Sequence, residues 1–277
     1  MTLAAGDAGA GPLLVGWARL AVAAPCLLAT AALFRARPLV APARGDGLAL
    51  AAAGAAMAAY QVCYFTAVTL AGVAVTALLA ICSAPLMIAL LAALWLGERL
   101  TRAVRVSLGL AVLGTALLVI GSRGPGQAAG HSGLGAVLAL GAGLSYAVYA
   151  VGTKRLLARA APLPLAAATF TLAALLITPV LLAEPSVRRP LAEAWPLLVY
   201  LGVGPTALAY ILFTAGLRRV PATTAGVVSL LEPLTATTLG VMVFGESFGP
   251  AGMAGAALLL AALLLLTRAG YRSPERG

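Results

Sequence analysis

Charge is scarce in this sequence: 9% of its 277 residues are Asp, Glu, Lys or Arg. A water-soluble domain carries roughly 25%. With 62% hydrophobic residues and a mean hydropathy of +1.04, too little polar cover exists for a surface in water, so lipid must surround most of the chain. Acidic residues are scarcer than basic ones, 8 against 18. The resulting net charge of +10 does not describe a nucleic-acid surface, because Lys and Arg fall in small groups between apolar stretches without interleaved aromatics. Histidine is nearly absent. His131 is the one example and lies in a polar stretch, which excludes a histidine-based catalytic pair inside the apolar segments. The three cysteines, Cys26, Cys63 and Cys82, stand in apolar stretches without metal-ligand spacing and read as small hydrophobes. There is no phosphate-binding Gly-x-x-x-x-Gly-Lys-Ser/Thr loop, no paired aspartates and no acyl-transfer constellation. An enzyme is therefore not expected, and neither is a cofactor or metal.

What the chain does have is long apolar runs. A helix needs roughly 20 apolar residues to cross about 30 Å of hydrocarbon. Nine segments qualify: 12–34, 47–70, 73–96, 103–121, 133–153, 163–183, 195–217, 221–244 and 249–267. The short alternating segments of a β-barrel are missing. The fold class is all-α, a polytopic membrane bundle. The longest polar stretch, Ser122 to Ser132, reads as the midpoint linker.

Basic residues supply an orientation. With the C-terminus cytoplasmic, alternation puts fourteen on the inside: Arg35, Arg37, Arg44, Arg99, Arg102, Arg105, Lys154, Arg155, Arg159, Arg218, Arg219, Arg268, Arg272 and Arg276. Three, Arg123, Arg188 and Arg189, fall outside, and Arg19 lies within a span. This bias follows the positive-inside rule and predicts an integral protein of the cell (inner) membrane.

A spacing recurs. Pro85 precedes Gly97-Glu98, and Pro233 precedes Gly245-Glu246, with 13 residues from Pro to Glu each time. Tyr60 and Tyr210 stand 25 and 23 residues before those prolines. An odd number of spans separates the copies, so one runs opposite to the other. Inverted repeats are an architecture of secondary transporters. The second repeat, 133–267, holds five spans, whereas 1–122 holds four. The offset of 148 places the counterpart of span 133–153 before residue 5, so the first repeat is expected to lack its first helix, about 20 residues or more at the chain's start. The first eleven residues have the character of an external loop.

A charge at a helix centre costs about 2.5–3.5 kcal/mol on insertion scales. Two lie well inside spans: Arg19 and Glu232. Arg19 can hold a substrate carboxylate as a bidentate pair, or it can satisfy helix-end carbonyls and headgroups. Glu232 can take a proton or a substrate ammonium, or cap the helix interrupted at Pro233. Pro85 and Pro233 each remove a backbone N–H, which marks helix breaks or packing kinks; Ser83 and Glu232 stand beside them. Tyr60, Gln61, Tyr64, Tyr146, Tyr149 and Tyr210 give polar tips for lining a cavity, although interfacial tyrosines are common. Trp17 is expected to pack, Glu98 and Glu246 to shape the interface, and Gly135–Ala139–Gly143 and Gly252–Ala256 to let helices approach.

Taken in order, Pro12-Leu-Leu-Val-Gly-Trp-Ala-Arg19-Leu, Ala84-Pro85 with Leu96-Gly97-Glu98, Ser145-Tyr146-Ala-Val-Tyr149, and Leu231-Glu232-Pro233 with Phe244-Gly245-Glu246 resemble the EamA-type branch of the drug/metabolite transporter superfamily. The resemblance implies two inverted five-helix repeats, here 1–122 and 133–267, followed by a cytoplasmic tail at 268–277. It implies export or uptake of small metabolites, often amino acids or drugs, by alternating access in the lipid bilayer; export of a small metabolite such as an amino acid is the expected direction here, with protons as a candidate second ligand. Cationic drug efflux is the alternative within transport. A membrane enzyme or assembly factor acting on lipids is the alternative outside it.

Overall fold

The chain is described here from a computed structural model over residues 11–34, 46–121, 133–182, 188–235 and 249–271. The ten leading residues, the 122–132 linker with His131, residues 236–248 with Glu246, and the tail from 272 lie outside the described residues. In lipid every backbone N–H and C=O must be satisfied internally, and the helix does this within one segment. The described residues accordingly form helices and no strand. These are α1 (Pro12–Leu33), α2 (Asp46–Ala71), α3 (Val73–Leu96), α4 (Arg102–Gly121), α5 (Gly133–Leu156), α6 (Pro162–Leu182), α7 (Arg188–Gly202), α8 (Ala209–Arg219), α9 (Ala222–Val228) and α10 (Pro250–Tyr271). A π-helical turn, Val203–Leu208, joins α7 to α8.

A helix lies at each of the nine expected spans. Six stretches among the described residues are long and apolar enough to cross a membrane, one of them the joined Leu191–Arg219, and Pro250–Leu265 is a shorter apolar helix. The eighth span is seen as α9 and a further helical turn at 231–235.

Packing is dominated by contacts between the two halves of the chain. α5 lies against α2 and α3, α6 against α1 and α2, α10 against α4, and α9 against α3. The expected Gly135–Ala139–Gly143 face sits in the α5 seams. A Cβ on Gly135 would meet Ala71 of α2 at 2.7 Å, and one on Gly143 would overlap the Ser83 hydroxyl of α3. α4 and α10 approach closely at Gly114, where a Cβ would lie 2.8 Å from the Gly255 carbonyl and 3.0 Å from the Leu259 nitrogen. Backbone contact of this kind is how helices gain packing energy where lipid offers no hydrophobic drive.

The two prolines differ in outcome. α3 continues through Pro85, so the expected break there takes the form of an internal proline in an uninterrupted helix. At Pro233 the chain tightens instead. Pro233 has no N–H to return to the Ser229 carbonyl four residues back. The Glu232 N–H takes that carbonyl at 3.0 Å, and Leu230 N–H bonds Val227 in the same i→i−3 pattern, so α9 stops at Val228.

Candidate functional site

Five expected tyrosines meet in one aromatic network. Tyr60 and Tyr64 stand one turn apart on α2, with ring centroids 5.7 Å apart. Tyr60 reaches across to Tyr146 of α5 at 5.5 Å. Tyr146 continues to Tyr149 at 6.0 Å, and Tyr149 to Tyr210 of α8 at 6.0 Å. Phe213, one turn beyond Tyr210, closes the loop at 5.9 Å to Tyr210 and 6.3 Å to Tyr146. Phe170 of α6 packs edge-on against Tyr210 at 4.6 Å. Such offset and edge-on pairs contribute about 0.5–1.5 kcal/mol each beyond burial. The network draws on α2 from the first half of the chain and on α5, α6 and α8 from the second. Tyr149 is fully buried, and its hydroxyl faces those of Thr153 and Thr214, with no partner at hydrogen-bond geometry among the described residues. The Tyr146 hydroxyl lies near the Ser229 side chain at the end of α9, whose own hydroxyl donates to the Ala225 carbonyl at 2.9 Å.

The two intramembrane charges flank this network. Tyr60, Tyr64 and Tyr210 each lie within electrostatic reach of both Arg19 and Glu232, and Tyr146 within reach of Glu232. Arg19 is partly buried on α1, and its Nε donates to the Thr206 hydroxyl at 3.1 Å. Glu232 is exposed on the 231–235 turn. Three of the five tyrosine hydroxyls, those of Tyr60, Tyr64 and Tyr210, thus lie within reach of both a cation and an anion.

Gln61 and Ser83 are engaged elsewhere. Gln61 is buried, and its amide donates to the Gly16 carbonyl of α1 at 3.3 Å. The Ser83 hydroxyl bonds its own helix at the Ala80 carbonyl, 3.4 Å away, in the α3–α5 seam. Trp17 donates to Thr178 of α6 at 3.0 Å and anchors α1 there.

A second constellation joins the helix ends. α9 begins at Ala222 with no acidic residue in its first turn and no side-chain cap of its own. Its orphan N–H groups therefore need an outside acceptor. Glu98, two residues past the end of α3, supplies it: the carboxylate accepts Ala222 N–H at 2.7 Å, Thr223 N–H at 3.1 Å and the Thr223 hydroxyl at 2.7 Å. Gly97 aims it. With φ at +67° it takes the left-handed conformation that glycine adopts without strain, and the chain turns so that Glu98 N–H returns to Ala92 at 3.1 Å. Immediately before α9, the last carbonyls of α8 are capped by Lys154 of α5, whose ammonium donates to Leu217 and Val220 at 2.8 Å each and to Arg218 at 3.4 Å. A cation at a helix C-terminus and an anion at an N-terminus both complement the helix dipole. The ends that carry Glu98, Lys154 and Arg218 meet here, and all three were expected on one side of the membrane. Reading from residue types alone missed the roles of Glu98, Lys154, Thr206 and Phe213. The legible signal was an uncapped helix start after Pro221.

A profile of the EamA-like transporter family matches residues 5–120 and again 133–268. The chain belongs to the EamA-like transporter family. Among relatives, "Uncharacterized transporter YwfM" of Bacillus subtilis is 36% identical over 219 residues, 78% of this chain and 72% of that one. "Aromatic amino acid exporter YddG" of Ancylobacter novellus is 32% identical, with 74% of this chain and 69% of that one covered. "Probable terminal-alkyne amino-acid exporter" of Streptantibioticus cattleyicolor is 30% identical, with 70% and 64% covered. A solved structure described only as a protein crystal structure superposes with a TM-score of 0.81 at 26% identity, covering 98% of this chain and 92% of its own. This EamA-like chain is thus an integral membrane protein of a family of transporters, which move small molecules.

Proposed function

We propose that this EamA-like transporter exports amino acids or similar small amphipathic metabolites by alternating access around the tyrosine network. Arg19, Tyr60, Tyr64, Tyr146, Tyr149, Tyr210 and Glu232 form the substrate site in this reading, with Gln61, Ser83 and Pro85 shaping its walls. The observation that carries it is that Tyr60, Tyr64 and Tyr210, in one aromatic network, lie within reach of both a cation, Arg19, and an anion, Glu232. A zwitterion has a carboxylate for the first and an ammonium for the second, and its side chain lies on aromatic faces. Two relatives named as exporters of amino acids support the same substrate class. The chain sits in the cell membrane with its C-terminus inside, as the basic-residue bias favours, and a proton gradient drives it.

The competing reading is efflux of organic cations. Glu232 among tyrosines favours it, because aromatic faces and a carboxylate suit a cation. Arg19 within reach of the same hydroxyls opposes it. Counterflow in proteoliposomes separates the two. Liposomes loaded with unlabelled amino acid are expected to accumulate the labelled form, and a tetraphenylphosphonium load is expected to do nothing. The opposite pattern overturns the amino-acid reading. Glu232→Gln is expected to abolish accumulation driven by a pH gradient while leaving exchange; unchanged gradient-driven transport would remove Glu232 from proton coupling.

A further inference from the structure

The joint between α7 and α8 has a construction that the substrate reading does not use. Pro205 sits in the π-helical turn and has no N–H to give to the Leu201 carbonyl four residues back. That carbonyl is rescued by a side chain: the Thr206 hydroxyl donates to it at 2.7 Å. Thr206 is 1% exposed, so its rotamer is held by packing as well as by this bond. With its proton committed to Leu201, the hydroxyl presents only lone pairs outward, and Arg19 Nε donates to them at 3.1 Å. α1 can come this near because residue 202 is glycine; a Cβ there would overlap Val22. Single-turn π segments inside α-helices occur frequently at functional sites.

Attachment through Nε has a consequence for the rest of the guanidinium. Its two terminal amino groups find no hydrogen-bond acceptor among the described residues, and no carboxylate there lies within ion-pairing distance of Arg19. A guanidinium inside a span without a counter-charge is costly. The terminal fork of an arginine matches a planar anion, and a carboxylate above all, in a bidentate pair.

We infer that Thr206 is a positioning residue, which holds Arg19 by Nε so that its terminal fork stays free to select substrates with a carboxylate. The inference rests on the reading of the tyrosine network as the substrate site. It gives the Pro205–Thr206 turn a specificity role: molecules that keep the ammonium and the side chain but lose the carboxylate are discriminated against at Arg19.

The test is binding to the purified full chain. A panel of the twenty common amino acids is screened, and the tightest binder is carried forward together with its carboxamide. Thr206→Val keeps the shape and removes the hydroxyl. It is expected to weaken the amino acid about tenfold, the loss of one charge-assisted hydrogen bond, and to leave the weaker carboxamide unchanged. Thr206→Ser is expected to restore parental affinity. Equal affinity of parent and Thr206→Val for the amino acid overturns the inference alone. Parallel loss of amino acid and carboxamide also overturns it, since that pattern belongs to a purely structural role. A parent that binds no amino acid and no carboxamide removes the substrate reading, and the inference falls with it.

Discussion

The cap that Glu98 places on α9 can be tested by thermodynamics. Glu98→Ala removes three hydrogen bonds, two of them to the first-turn N–H groups of a seven-residue helix. Replacing a capping side chain by alanine costs about 1 kcal/mol, with a range of about 0.5–2. Loss of the anion from the positive end of the helix adds about 0.3–1 kcal/mol. Glu98 is half-buried, which keeps the sum near 2 kcal/mol. Glu98→Gln retains one acceptor oxygen but turns an NH₂ toward donors, so about 1 kcal/mol is expected. At about 2–4 °C per kcal/mol for a chain of this size, the melting midpoint in detergent should fall by about 4–8 °C for the alanine and about half that for the glutamine. All variants are scanned at one rate, because membrane proteins commonly unfold irreversibly. Hydrogen exchange at Ala222 and Thr223 should quicken in step. Lys154→Met weakens the other side of the same α8–α9 elbow, so the double variant should fall short of the sum of the singles. Unchanged midpoints and unchanged exchange in both Glu98 variants would refute the cap.

Four further outcomes follow from the packing and from the flanking charges. Gly114→Leu forces a side chain against the Gly255 carbonyl and should cost about 1–3 kcal/mol, seen as early aggregation on size-exclusion after heating. Thr76→Val should be neutral or raise the midpoint slightly, because the buried Thr76 hydroxyl has no partner among the described residues; a clear drop would mean that the hydroxyl is used. Trp17→Phe should lower stability by about 1 kcal/mol through the lost bond to Thr178, with substrate affinity unchanged in the binding assay. Arg19→Lys should weaken amino-acid binding more than carboxamide binding, since a lysine cannot form the bidentate fork.

The helices were legible because lipid imposes a simple demand, about 20 apolar residues per span, and this sequence meets it with almost no interruption. Two copies were suggested because Pro85 to Glu98 and Pro233 to Glu246 share a spacing that low complexity does not blur. The tyrosines were legible by type, since a phenol in a span wants a polar neighbour, but their convergence was not: Tyr60 and Tyr146 touch across 86 positions of sequence. Proline was readable as a removed N–H and unreadable in its effect. α3 absorbs Pro85, whereas at Pro233 a neighbouring N–H takes the freed carbonyl and tightens the chain. Thr206 was invisible because its role depends on Pro205 and on an arginine 187 positions away. Glu98 reads as a polar stop after a helix until Ala222 is placed beside it, 124 residues later.

The most direct measurement of the account is substrate-dependent accessibility within the aromatic network. Phe213→Cys, in a chain whose Cys26, Cys63 and Cys82 are replaced by alanine, is reconstituted in oriented proteoliposomes and treated with a membrane-impermeant thiol reagent from one face at a time. Alternating access around this network predicts labelling from both faces, slowed by saturating amino acid, with a gain on one face matched by a loss on the other when the substrate gradient is reversed. Labelling that substrate leaves unchanged, in a protein that still transports, would contradict it.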